Sequence, residues 1–185
     1  VDAVDLAALS FDPLLRHAYR SDQPLEPDLK DAQRRIGAAA HLAIATPVWW
    51  GSSPAVLKGF IDRVFLPGWA YAHSGGALPV KGLTGRSARV LVTMDAPRWW
   101  DQLRYGRSAR RQLKDATLGF VGYKPVTTSL FPSVGTSTLP QRQRMLDRAR
   151  RDGERDAAAV MRRLPVLTLP AAAPLPGTGR SSTTS

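Results

Sequence analysis

Two segments of this 185-residue chain carry residue types suited to holding a ligand. The first is Pro47-Val48-Trp49-Trp50-Gly51. Two adjacent indoles offer flat apolar faces, and a row of backbone N–H groups leads on toward a helix start. Such a loop suits a flat, aromatic, partly anionic ligand; the alternative is a pair of packing aromatics beside a turn. The second is Thr93-Met94-Asp95-Ala96-Pro97, where a hydroxyl and exposed backbone follow an apolar run. Asp95 there is either a ligand-facing residue or a turn former. Between them lies an excursion rich in aromatics and glycine, with Tyr71 and His73, and after them comes Trp99-Trp100. Loops of this kind often carry binding, so His73 is a candidate contact for a substrate. Trp99 and Trp100 either roof a pocket or fill a contact between two copies.

The elements that must position these loops are legible in the pattern. His41–Thr46 is a short apolar run, the length of a strand covered on both faces, and Pro47 stops it. Ser53-Pro54 reads as a helix start, with a hydroxyl to cap and proline at the first helical position. Val56, Phe60 and Val64, with Leu57 and Ile61 beside them, predict a broadly buried helix. Ser87–Thr93 is the next buried strand. Ligands of open parallel sheets bind beyond the carboxyl ends of strands, which is where both loops fall.

Elsewhere, Val1–Leu6 reads as a short strand and Pro27–Ala40 as a helix with Leu29, Ala32, Ile36 and Ala39 inward. Ser108–Phe120 reads as a helix with Leu113, Thr117 and Phe120 on one side, and Val126–Leu130 as the last strand. From Leu139 to Leu164 a final helix places Leu146, Ala149, Gly153, Ala157, Val160 and Leu164 on one stripe. Its arginines and aspartates, Asp152 and Asp156 among them, read as a solvated face with local pairs. The expected division is one domain over residues 1–163 and a disordered Pro/Ala/Ser/Thr-rich tail over 164–185.

Composition narrows the function. There is no cysteine, so disulfides, thiolate zinc sites and cysteine-anchored iron–sulfur clusters are excluded. The net charge of +11 permits non-specific attraction to nucleic acid. The basic residues are nevertheless spread out, without zinc-finger spacing, so no specific nucleic-acid partner is expected. No apolar run is long enough for membrane insertion, and the default compartment is the cytoplasm.

The order Pro47-Val48-Trp49-Trp50, Pro54-Ala55-Val56-Leu57-Lys58-Gly59, Asp62-Arg63-Val64 and Gly68-Trp69-Ala70-Tyr71 resembles the flavodoxin-like NAD(P)H:quinone oxidoreductases. The resemblance implies a doubly wound, three-layer α/β/α domain with a parallel sheet. It implies non-covalent FMN or FAD, with NADH or NADPH as hydride donor and a quinone-like acceptor. Pro47, Val48, Trp49, Trp50 and Gly51 would hold the flavin ring, joined by Thr93, Met94, Asp95 and Ala96. Tyr71 would line the acceptor side as the catalytic-pocket tyrosine, with His73 and Trp99 as further substrate contacts. A homodimer with the pocket at its interface is implied, with Trp69, Trp99 and Trp100 as interfacial candidates.

Asp5-Leu6 and Phe11-Asp12-Pro13 match a segment that follows the family's second strand. The family's first strand, phosphate-binding loop and first helix are therefore expected upstream of Val1. Without them the central strand at His41 would keep an open edge, and flavin would bind poorly. The competing expectation is an inactive flavodoxin-like remnant with a binding or regulatory role.

Overall fold

The computed structural model describes residues 1–75 and 78–163. The expected tail at 164–185 lies outside the described residues. Helix α1 (Pro27–Ala38) leads into strand β1 (His41–Pro47), and helix α2 (Ala55–Val64) follows. A two-residue hairpin, β2 (Tyr71–Ala72) and β3 (Val80–Lys81), occupies the excursion. Strand β4 (Ser87–Thr93) precedes the short helices α3 (Arg98–Leu103) and α4 (Ser108–Arg111). Helix α4 runs on as a π-helical segment, Gln112–Gly119. Strand β5 (Val126–Phe131) and the long helix α5 (Leu139–Arg163) complete the described chain.

The main sheet has the order β1-β4-β5, all parallel. His41 pairs with Ser87 and Pro47 with Thr93, while Ala88 pairs with Val126 and Thr93 with Phe131. The carboxyl ends of the three strands are therefore level, and their loops emerge side by side. Side chains alternate across the sheet. Ala88, Val90 and Val92 are at most 1% exposed and join Leu29, Ile36, Phe60, Val64, Leu113 and Leu118 in the core. The alternate position Arg89 is bound by Asp156 of α5 on the other face.

Several expectations need correction. Val1–Leu6 is not a strand. Asp2 instead pairs with Arg35 of α1, and Asp5 closes a turn through Ala7 N–H and Ala8 N–H. No strand lies beside that segment to complete a ladder among the described residues. The outer edge of β1 likewise has no strand partner there. As a result Ala43 and Ala45 are exposed, where coverage on both faces was expected.

Helix α2 begins at Ala55 with Pro54 at its cap, and no side chain caps it; Ser53 is buried without a hydrogen-bond partner among the described residues. Val56 of α2 is exposed because only one side of this helix meets the core. The Gln112–Gly119 segment buries Leu113 and Leu118 while Phe120 is 39% exposed. The wider i→i+5 winding carries Phe120 off the buried side that α-helical spacing predicts. Along α5 the stripe is displaced: Leu146 is 64% exposed, and Asp152 is the buried residue. Of the charges read as solvated, Asp152 and Asp156 face the sheet, where Arg89 of β4 supplies their partner, while Arg144, Arg151 and Arg155 remain exposed.

Candidate functional site

The loop after β1 is a tight turn closed on itself. Trp49 N–H donates to Ser52 O at 2.9 Å, and Ser52 N–H donates back to Trp49 O at 3.0 Å. Between them Trp50 and Gly51 both have positive φ, +53° and +73°. That is the signature of a type I′ turn, which asks for two left-handed residues in succession. Glycine meets the demand freely; tryptophan meets it at a cost. The turn throws its rings outward, leaving Trp49 61% exposed and Trp50 fully exposed. Among the described residues the N–H groups of Trp50 and Gly51 have no partner.

The turn is held from behind. Ser108 Oγ donates to Gly51 O, and Ser52 Oγ donates to Gln112 Oε1 at 3.4 Å. A side chain at Gly51 would come within 3.3 Å of the Tyr105 ring. Tyr105 stacks edge-on against Trp100 at 6.5 Å, and Trp100 against Trp99 at 5.4 Å. Arg110 bonds Asp101, which is 2% exposed, so α3 and α4 are pinned together beneath these rings. A cavity of about 400 Å³ opens beside the turn, lined by Tyr105, Ser108, Arg111, Gln112 and Asp115.

The second loop lies next to the first. Val48 N–H donates to Thr93 O at 2.9 Å, tying the two together. Pro47 ends the β1 ladder opposite Thr93, and Val48 packs partly against the core. Met94 is turned inward, 5% exposed, so its side chain belongs to the core rather than to a ligand face. Its N–H donates to Phe131 O, and its carbonyl accepts from Val134 N–H. Asp95 N–H and Ala96 N–H have no partner among the described residues.

Tyr71 and His73 form a separate cluster on the β2 hairpin. Their rings meet edge to face at 5.7 Å, and Tyr71 meets Phe120 the same way at 5.1 Å. The segment Gln112–Gly119 links the two clusters: Gln112 touches the Trp50 turn, and Phe120 follows at the other end. Trp69 takes no part; it packs against the core and Phe65.

A protein family described as having a flavodoxin-like fold matches residues 1–152. The chain belongs to this flavodoxin-like family. Among solved structures it is similar to Smu.1420 from Streptococcus mutans UA159, at 28% identity and TM-score 0.66, covering 78% of this chain and 77% of that one. It is also similar to an NAD(P)H:quinone oxidoreductase from Methanothermobacter marburgensis, at 31% identity and TM-score 0.60, covering 71% and 66%. A curated relative is the mouse ribosyldihydronicotinamide dehydrogenase [quinone], 28% identical over 138 residues, 70% of this chain and 58% of the relative. Another is a potassium-efflux ancillary protein from Enterobacter sp. (strain 638), 38% identical over 69 residues, 37% of this chain and 39% of the relative. The chain thus spans less than two thirds of the length of these curated relatives.

Within this flavodoxin-like frame, sequence reasoning missed Tyr105, Ser108, Gln112 and Phe120. Ser108 and Gln112 carried no motif, since their role depends on α4 meeting the Trp50 turn. Sequence reasoning also missed a buried ionic cluster on the α5 side of the sheet. Arg89 bonds both oxygens of Asp156 and donates to Ser129 Oγ at 2.8 Å, and Ser129 Oγ donates to Asp152 Oδ2 at 2.7 Å. His41 Nδ1 lies 2.8 Å from Ser87 Oγ and its Nε2 lies 3.5 Å from Asp156 Oδ2. Burial holds His41 below its ordinary value, with Asp156 opposing the shift and Arg89 adding to it. An arginine in a strand that otherwise reads as apolar was the available signal: such a residue needs a carboxylate from a neighbouring element.

Proposed function

We propose that this chain serves a flavin-dependent oxidoreductase that takes hydride from NADH or NADPH and delivers it, through FMN or FAD, to a quinone-like acceptor. The observation that carries the reading is the pair of bare indoles on a closed turn at the carboxyl end of a parallel sheet. Two large rings held in solvent by a turn that costs strain have no purpose in packing. The names of the relatives, which include quinone oxidoreductases, support the same class.

The residues fit a flavin ring. Trp49 and Trp50 supply flat faces for stacking. The N–H groups of Trp50, Gly51, Asp95 and Ala96, without partners among the described residues, would donate to negative charge on the ring. When bound, the flavin supplies the hydride chemistry, taking two electrons from the nicotinamide and passing them on. The protein's share is to orient the ring, donate hydrogen bonds to the charge that develops on it, and keep water from its face. Pro47 and Val48 set the height of the turn; Thr93 anchors its neighbour. On this reading Tyr71 lines the acceptor side with His73, and Trp99 closes the opposite flank. The exposed rings at Trp99 and Phe120 would be covered in a homodimer, and the cytoplasm is the compartment that suits a nicotinamide-dependent reaction.

The test is the visible spectrum of the purified chain after incubation with FMN or FAD and desalting. The expected result is a weak flavin band that NADH or NADPH bleaches. The double variant Trp49→Ala, Trp50→Ala should lose at least tenfold in retention with an unchanged far-ultraviolet circular dichroism spectrum, since stacking on one aromatic is worth about 1–3 kcal/mol. Equal retention by the variant would remove the loop assignment. No flavin retained either by this chain or by one extended with a strand, phosphate-binding loop and helix ahead of Val1 would overturn the flavin reading and select a flavodoxin-like protein that binds without catalysis.

A further inference from the structure

The β4–β5 ladder does not stop at its last strand pair, Thr93 with Phe131. Met94 N–H donates to Phe131 O at 3.0 Å, and Val134 N–H donates to Met94 O at 3.1 Å. The next rung is made by a side chain: Gly135 N–H donates to Asp95 Oδ1 at 2.7 Å. The approach is close enough that a Cβ at Gly135 would stand 2.8 Å from Oδ1 and 3.2 Å from Cγ. A side chain at Gly135 would have to push the carboxylate aside. The loop is bent to reach it, with Ser133 at φ +56°. Beyond Gly135 the chain turns through Ser137 N–H to Val134 O and enters α5.

We propose that Asp95 is a positioning residue whose carboxylate latches the loop after β5 onto the loop after β4, and so fixes the Asp95 and Ala96 N–H groups toward the ligand. This rests on the reading of these loops as the flavin site. The carboxylate is committed to Gly135, so Asp95 contributes backbone to the ligand face and its side chain acts through the neighbouring loop. The bond is charge-assisted and therefore stronger than a neutral one. It also extends the stitching that begins with Val48 N–H on Thr93 O, so the loops after β1, β4 and β5 form one continuous hydrogen-bonded rim. A turn-forming aspartate would bond its own loop two residues on. Asp95 bonds a residue 40 positions away.

The test uses the full chain and the variants Asp95→Ala and Asp95→Asn, with two readouts. The first is amide hydrogen exchange at Gly135, which needs no flavin. Asp95→Ala should speed it by about tenfold or more, the scale of losing a hydrogen bond to a charged group. Asp95→Asn should restore slow exchange, because its amide oxygen still accepts. The second is FMN retention across pH. Asp95→Ala should weaken retention, and Asp95→Asn should recover most of it without moving the pH profile. Unchanged Gly135 exchange in Asp95→Ala overturns the latch, whatever flavin does. So does an Asp95→Asn variant that protects Gly135 yet retains FMN as poorly as the alanine variant, since the charge would then act on the ligand. If no form retains FMN while exchange follows the predicted order, the latch stands and the flavin reading fails.

Discussion

Trp50, at the carboxyl end of β1, is fully exposed, while Arg89, in the middle of β4, has a side chain only 11% exposed and is bound by two aspartates. Ordinary partitioning would place them the other way round. Each inversion has its own physical cause. Around Arg89 the guanidinium is matched by Asp152, Asp156 and Ser129, so its charge is met within the fold. Around Trp50 the backbone is closed and strained, but the ring touches nothing that would justify the strain. A buried charge that is satisfied speaks of architecture; an exposed ring on a closed turn is what the proposed ligand site would use.

Removing Arg89 should give the largest effect. Arg89→Ala leaves Asp156 partly buried without its arginine, while Asp152 keeps only its longer cation contacts, to Arg148 and Arg155, and a broken buried pair costs about 3–5 kcal/mol. Urea denaturation measures it directly. Adding Asp156→Asn to that variant should recover part of the loss, because one uncompensated charge goes with it. A loss under about 1 kcal/mol for Arg89→Ala would mean that the cluster is solvated, and the contrast with Trp50 would collapse.

The same cluster should make stability depend on pH through His41. Its folded value lies below the ordinary 6.5 because burial disfavours the charged ring. The unfolded chain therefore binds the proton more readily. Stability is fully present above 6.5 and is lost as the pH falls through the lower folded value. Denaturation midpoints taken from about pH 7 down to about pH 5 should fall for the native sequence and fall less for His41→Asn. Parallel slopes would assign the acid sensitivity to other groups.

These two regions also differ in how far they can be read from sequence. β1, β4 and β5 were legible almost to the residue, because short apolar runs bounded by proline or glycine leave little choice. The Trp49-Trp50 turn was legible as a place, since Pro47 ends a strand and Pro54 opens a helix. Its supports were not, because Ser108 and Gln112 reach it from 57 and 60 residues away. α5 was legible as a helix but not as an oriented one. Periodicity placed Leu146 inward, whereas Arg89 on another element decides that Asp152 and Asp156 face the sheet. Val1–Leu6 failed as a strand for a related reason: a ladder needs a neighbour, and propensity does not supply one.

A smaller effect separates satisfied burial from unsatisfied burial. Tyr123 is 3% exposed, its hydroxyl has no partner among the described residues, and burial pushes its ionisation up to about 12. Tyr123→Phe removes an unpaired polar atom and keeps the ring. It should be neutral or stabilising by up to about 1 kcal/mol, unlike any cut in the Arg89 cluster. A clear destabilisation would show that the hydroxyl has a partner, such as an ordered water.

The smallest expected change comes from the largest side chain. Trp50→Gly deletes an indole, which in a core would cost about 3–5 kcal/mol. Here the ring is fully exposed, so no burial is lost. Two backbone effects remain, and they oppose each other. Glycine relieves the left-handed φ of +53°, worth about 1–2 kcal/mol, and it loosens the unfolded chain by about 0.5–1 kcal/mol. The net change in urea denaturation should lie within about 1 kcal/mol and lean toward stabilisation, because relief of strain outweighs the added freedom of the unfolded chain. A loss of several kcal/mol would mean that Trp50 packs after all, against a second copy or a neighbouring element, and its place in the candidate site would go with it. A silent fold with diminished flavin retention would put the whole worth of Trp50 on the ligand side.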